Sequence, residues 1–232
     1  MPESQEKYPH DLAEMAQWVS SFAGPGMRVL EIGCGDGALT ARLAAAGMDV
    51  LGVDPNATED ARVRAIKVED LDAEPFDVVF ASVSLHHLDD AARTSAALRR
   101  LTKRGTIALV REFDKTVLDE PTLRWWFHQL HAERATTKWS PDHADETEHD
   151  NLAGDFDEFV IGWRRTMDHH VHAWAIVARF LEDAGFDTQQ LRNEPYLFRW
   201  GLPEAVRPLE QQLINDARIK PVGVRWHGQR MT

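Results

Sequence analysis

The stretch Val29-Leu30-Glu31-Ile32-Gly33-Cys34-Gly35-Asp36-Gly37 joins an aliphatic run to an Ala/Leu-rich segment through three glycines, each two residues from the next. Glycine lacks a Cβ, so the backbone can turn sharply from strand to helix and let a ligand approach closely. The helix N-terminus that follows presents unpaired amides to polar ligand groups. Asp54 comes 21 residues after Gly33, at the end of the next aliphatic run, where a carboxylate can accept both hydroxyls of a ribose. A dinucleotide site uses a related layout, but its G-x-G-x-x-G opens a pyrophosphate to the helix N-terminus. Here the spacing is G-x-G-x-G, and Glu31 and Asp36 would set negative charge against a pyrophosphate. Beside a cationic ligand the same charges are favourable.

Three more groups of residues could do chemistry. His86 and His87 follow a strong strand pattern over 76–81, and Glu112 follows another over 106–110. Both positions lie where ligands collect in open α/β sheets, at the carboxyl ends of strands. Imidazole titrates in the range a general base needs, so the candidates are His87 or His86, with Glu112 behind them. A second group is Asp168-His169-His170-Val171-His172, with His143 and His149. Imidazole and carboxylate suit zinc or iron, but no spacing matches H-E-x-x-H or a similar pattern, and no metal site is assigned. Trp125, Trp126, Trp139 and Trp163 could wall an aromatic pocket for a flat or cationic acceptor; packing is the favoured reading.

These residues need a frame. Leu12, Met15, Val19 and Phe22 form one apolar helical stripe, stopped by Gly24-Pro25-Gly26. A strand at 28–32, a helix at 38–46 closed by Gly47 and a strand at 49–53 make a βαβ unit, whose crossover is right-handed. A weaker strand is expected at 64–68, then the strong one at 76–81. A helix capped by Asp89 or Asp90 runs to Leu101, and Gly105 leads into the strand at 106–110. The alternation predicts an α/β fold, a Rossmann-like seven-stranded, mostly parallel sheet with helices on both faces. Residues 113–170 read as an inserted helical lid containing an exposed acidic loop at 142–150. After it come a helix over 171–181, strands at 189–200 and 222–226, and a helix at 204–217 between them. The chain reads as one domain of core 24–112, lid 113–170 and C-terminal part 171–232.

The chain has 232 residues, and its 26 Lys+Arg against 38 Asp+Glu set the formal net charge at −12. Such an acidic chain without a basic run is a poor partner for nucleic acid, whose binding rests on phosphate neutralisation. No run reaches the roughly 18–20 apolar residues of a membrane span, and no secretory signal is visible at the start. Cys34 is the only cysteine, which excludes an internal disulfide and a cysteine-based zinc cluster. The expectation is a cytoplasmic protein acting on small molecules.

The charge pattern around the glycine turn favours S-adenosylmethionine, which carries a sulfonium and an ammonium and no phosphate, over NAD. The turn also resembles motif I of the class I S-adenosylmethionine-dependent methyltransferases, and Val53-Asp54-Pro55 resembles their second motif. Val68-Glu69-Asp70-Leu71 resembles the acidic turn beside the adenine. Phe76-Asp77-Val78-Val79-Phe80-Ala81-Ser82-Val83-Ser84-Leu85-His86-His87-Leu88 resembles the fourth-strand motif of the small-molecule, methyltransferase-11-like branch. The four motifs span 28–111 in the family's order. The resemblance implies that Glu31, Gly33 and Gly35 line the methionine end of the cofactor, with Cys34 in the same turn and Gly37 shaping it. It implies further that Asp54 binds the ribose, Pro55 or Asn56 touches the adenine, and Glu69 or Asp70 with Leu71 reads the adenine edge. Ser82 would lie under the methionine moiety, and Tyr8 and His10 on a helix folding over the cofactor. Two departures imply a more exposed adenine side: almost no helix between 56 and 64, and Lys67 where an Asp often stands. The implied activity is O- or N-methylation of a small-molecule acceptor. Rivals are a non-methylating S-adenosylmethionine-binding protein (a cyclase or regulator) and an NAD-dependent oxidoreductase.

Overall fold

The computed structural model describes residues 9–136 and 155–231. Its seven strands form one sheet in the order β3-β2-β1-β4-β5-β7-β6. At the centre, β1 (Arg28–Ile32) is buried at every position but its first. It lies parallel to both β2 (Asp49–Val53) and β4 (Phe76–Ser82). On the outer sides β3 (Val63–Arg64) pairs parallel with β2, and β5 (Thr102–Phe113) with β4. The chain therefore steps outward from β1 on one side and returns beside it as β4. That reversal leaves a crevice at the carboxyl ends of β1 and β4.

The last two strands are β6 (Phe186–Glu194) and β7 (Gly223–Arg230). β7 runs against both neighbours. Met231 N donates to Gly185 O at 3.2 Å, while Gly228 lies against Asp187. On the other side Arg230 Nη1 donates to Thr102 Oγ1 at 2.8 Å and Gln229 Nε2 to Gly105 O. The mostly parallel seven-stranded sheet expected from the alternation is thus observed.

Helix α1 (Pro9–Ser20) turns Met15 and Val19 inward, and α2 (Ala38–Ala45) does the same with Leu39 and Leu43. Residues four apart share a helix face, and these meet Val29, Val50, Val78, Phe80 and Leu109 from four strands in one core. α1 is also tied to β7, where the Arg225 guanidinium bonds Glu14 and lies over the Trp18 ring. Asp90, not Asp89, caps α3 (Ala91–Leu101), accepting from Ala92 N and Arg93 N at 3.0 Å each.

Two compact units are distinguished. One comprises the described residues up to 112 with 175–191 and 225–231; the other comprises 113–136, 155–174 and 192–224. The second contains α4 (Glu120–Thr136) and α5 (Phe156–His170), and its own core is aromatic. Trp126 packs on Phe159, Trp163 and Trp200 with ring centroids 4.9–5.4 Å apart, edge-on or tilted as aromatic quadrupoles prefer. Trp126 and Trp163 are packing residues of that unit. Trp139, His143, His149 and the acidic loop 142–150 lie outside the described residues, as does Tyr8.

Several expected elements are redrawn. The strand expected at 64–68 is instead the two-residue Val63–Arg64, sharing only Arg64 with it, because the chain then winds into a 3₁₀ turn, Val68–Asp70, which α3 fastens. β5 starts at Thr102 rather than 106; a register shift between Phe76 and Val78 absorbs the Gly105 corner. The strand expected at 189–200 instead covers Phe186–Glu194. Beyond it the buried Glu210 accepts from the amides of Tyr196, Leu197 and Phe198 at 2.7–3.0 Å, which holds them in a turn. The helix expected at 171–181 is α6 (Trp174–Asp183), and the one at 204–217 is a 3₁₀ turn (Glu204–Val206) leading into α7 (Arg207–Asn215). The last strand continues from 226 to Arg230.

Candidate functional site

A cavity of about 500 Å³ opens at the carboxyl ends of β1, β2 and β4. That volume falls within the range of small-molecule sites. Ile32 and Gly33 enter it from β1, and Val53, Asp54, Pro55 and Asn56 from β2. Ile66, Lys67, Val68 and Glu69 form the wall by the 3₁₀ turn. Val83, Ser84, His87 and Leu88 come from the β4–α3 connection, with Asp89, Asp90 and Arg93 at its edge.

The glycine turn crosses that connection at van der Waals distance. Gly33 has φ +74, and a Cβ there would fall 2.3 Å from Ser84 Cβ and 2.8 Å from its Oγ. Ser84 Oγ donates to Ile32 O at 2.9 Å, so the two strand ends are laced together. Asp54 then ties the turn to β2: Oδ2 accepts from Gly35 N at 3.1 Å and Oδ1 from Asn56 N at 2.8 Å. A carboxylate has about four acceptor positions, which leaves each Asp54 oxygen capacity toward the cavity. Gly37 stands at the start of α2 against Val63.

Glu31 and Cys34 sit behind the turn, outside the cavity lining. Cys34 is buried against Gly52, where it fills the space between turn and β2, and burial pushes its thiol up to about 12. Glu31 is buried too, with Thr40 Oγ1 donating to its Oε2 at 2.5 Å. Burial raises the Glu31 carboxyl from 4.5 to about 7, against the smaller opposing pull of the Thr40 bond. A neighbouring cation would favour its ionised form.

This burial has a measurable consequence for stability. With the folded pKa above the unfolded one, the protonated carboxyl favours the folded state below pH 4.5, and that advantage is lost as pH rises through about 7. The loss approaches roughly 3 kcal/mol at 1.36 kcal/mol per unit. Glu31→Gln does not titrate, so denaturant unfolding at pH 5 and pH 8 should show the variant gaining on wild type by roughly 2–3 kcal/mol at the higher pH. Parallel pH dependence of the two proteins would contradict it.

On the facing side Val83 adopts φ 53, a left-handed conformation that is an outlier for a β-branched residue. The chain then makes a 3₁₀ turn, Leu85–His87, which carries His87 into the cavity and His86 away from it. His86 Nδ1 lies 2.7 Å from Glu112 Oε2, both residues being buried. Glu112 Oε1 accepts from Ser84 N at 3.0 Å and Leu85 N at 2.8 Å.

The rim is held by charges. Lys67 pairs with Asp89, which raises the ammonium and lowers the carboxylate. Thr94 Oγ1 donates to Glu69, Arg93 pairs with Asp70 at 3.2 Å, and Arg100 Nη2 donates to Leu71 O at 2.5 Å. The 3₁₀ turn is therefore anchored to α3, with Glu69 lining the cavity while Asp70 and Leu71 do not. Gly33, Asp54, Pro55, Glu69 and His87 are brought together. Gly35, Gly37, Glu31, Cys34, Asp70, Leu71, Ser82, His86 and Glu112 stand around or behind them.

Val83, Ser84 and Leu88 fall within the fourth-strand motif, but nothing in the sequence marks them as lining residues, because that depends on how the chain bends under the glycine turn after β4. Lys67, noted only as a departure, lies on the rim. Among the described residues no three His, Cys, Asp or Glu side chains are grouped to hold a metal ion. Nor is any described helix long and apolar enough to cross a membrane.

A family model described as a methyltransferase domain matches residues 4–158. The chain belongs to that family. Its relatives include a ubiquinone biosynthesis O-methyltransferase of Bordetella avium (strain 197N), 33% identical over an alignment of 123 residues that covers 45% of this chain and 51% of that protein. The chain thus spans about half the length of the curated relatives it matches. Among solved structures, the geranyl diphosphate C-methyltransferase of Streptomyces coelicolor A3(2) is 12% identical, with TM-score 0.57, covering 99% of this chain and 86% of that one. The N-methyltransferase NodS of Bradyrhizobium japonicum WM9 is 11% identical, with TM-score 0.52, covering 99% of each. These two likenesses establish the class I fold of this methyltransferase-family chain.

Proposed function

We propose that this chain transfers a methyl group from S-adenosylmethionine to a small organic acceptor, at oxygen or nitrogen. The observation that carries the reading is the placement of Asp54: a carboxylate at the end of β2 that lines the same cavity as Gly33 and Ser84 and accepts from Gly35 N of the glycine turn. Pro55, Ile66, Val68 and Leu88 add apolar surface to the same cavity, a mixture that suits a ribose joined to a flat adenine and a short amino-acid tail. The names of the ubiquinone biosynthesis relatives favour oxygen as the accepting atom.

The residues divide the work. Asp54 accepts the ribose hydroxyls with the capacity its two backbone bonds leave. Glu69, lining the cavity where Asp70 is turned to Arg93, accepts from the adenine edge. The bare backbone at Gly33 lets the turn close onto Ser84, so that both line the place where the amino-acid tail would lie, and the Glu31 charge behind the turn favours an ammonium. When bound, S-adenosylmethionine supplies a methyl group on a sulfonium, an already activated leaving group. What remains for the protein is to align the acceptor in line and exclude water, and to take a proton where the acceptor still holds one. His87 is the imidazole in the cavity and is assigned that proton.

Calorimetric titration with S-adenosylhomocysteine should show binding, and NADH none. Radiolabelled S-adenosylmethionine incubated with small-molecule extract should yield a labelled product; binding without any labelled product would reduce the chain to a cofactor-binding protein. His87→Ala should keep S-adenosylhomocysteine affinity within about threefold and slow methyl transfer by roughly 10²–10⁴ if it acts as base. Turnover and cofactor affinity both unchanged would remove His87 from the mechanism.

A further inference from the structure

We propose that Glu112 is a positioning residue, a buried carboxylate clamp that holds the β4–α3 turn in the shape that presents Ser84 and His87 to the cavity. Its link to methyl transfer rests on the function proposed above; its action on the turn does not. Three observations combine. Both Glu112 oxygens are spent on the turn, Oε1 on the amides of Ser84 and Leu85 and Oε2 on His86 Nδ1. A carboxylate only accepts, so Nδ1 carries the proton in that contact.

Second, the residue entering the turn is Val83 at φ 53, a conformation that persists only where the surroundings over-determine it. Val83 N donates to Arg111 O at 2.8 Å, and the next two amides end on Glu112, so the strained residue is held from both sides. Third, the His86 and His87 rings lie 4.0 Å apart. Fixing His86 from behind therefore fixes the ring that enters the cavity. Glu112 itself lies outside the cavity lining and acts through this backbone rather than on the acceptor.

The test uses the full chain and S-adenosylhomocysteine as probe. Glu112→Ala should speed amide hydrogen exchange at Ser84 and Leu85 by about tenfold or more and weaken S-adenosylhomocysteine binding by about five- to tenfold. Glu112→Gln, which keeps an oxygen for the two amides, should restore most of the exchange protection. Adding Val83→Gly to Glu112→Ala should recover part of the binding, since glycine accepts φ 53 without strain. If Glu112→Ala does not fold, Glu112→Asp, one methylene too short to hold all three partners, takes its place with the same expectation. Wild-type exchange at both amides in the folded variant overturns the proposal. Failure of wild type to bind S-adenosylhomocysteine would overturn the proposed function instead, and the exchange result would still judge the clamp.

Discussion

Asp54→Ala should weaken S-adenosylhomocysteine binding by roughly a hundred- to a thousandfold while leaving the chain folded. Hydrogen bonds to a charged group contribute about 1.5–3 kcal/mol each, and tenfold in affinity corresponds to about 1.4 kcal/mol. Two ribose hydroxyls on one carboxylate, at the lower end of that range, account for about 3 kcal/mol of that loss. The remainder comes from the turn, because Oδ2 also holds Gly35 N and Oδ1 holds Asn56 N. Asp54→Asn keeps the shape and one acceptor oxygen and loses the charge, so a smaller loss, about ten- to thirtyfold, is expected. Calorimetry with circular dichroism as the folding control reads both. An Asp54→Ala protein that binds within threefold of wild type would place the ribose elsewhere.

Gly33→Ala should act on fold and site together. The added methyl would overlap Ser84, at 2.3 Å from its Cβ and 2.8 Å from its Oγ, and Gly33 also sits at φ +74. The left-handed backbone costs an alanine about 1–2 kcal/mol, and forced overpacking typically adds about 1–3 kcal/mol. A loss of about 2–5 kcal/mol in denaturant unfolding is expected, with S-adenosylhomocysteine binding abolished in the fraction that folds. Ser84→Gly in the same chain should return the steric share of that loss and leave the backbone share. Stability within 1 kcal/mol of wild type would show that the crossing of β1 and β4 connections is loose.

Both results turn on a glycine and an aspartate that stand out in the sequence, whereas the residue opposing Gly33 does not. Gly33 and Asp54 are legible because the demands on them are local: a bend after one aliphatic run and an acid at the end of the next. Ser84 is 51 residues from Gly33, and nothing near it in the chain announces contact with the glycine. The same limit applies to His86 against His87 and to Glu69 against Asp70. Each pair sits in a 3₁₀ turn, where neighbouring side chains point about a third of a rotation apart. Composition cannot say which of the two faces inward. Glu112 settles the first pair and α3 the second, through contacts made across 26 and 23–25 residues.

The chain order of strands and helices, the parallel sheet and the family motifs were thus set by period, glycine spacing and charge, all of which act over a few residues. Tertiary structure alone decided which carboxylates and imidazoles reach the cavity, that Glu31 is buried behind it with a pKa near 7, and that Glu112 clamps a turn. The reason is physical. Local patterns determine which faces of an element are apolar, but the rotation of a short turn and the dielectric around a carboxyl depend on segments that meet only when the sheet has formed.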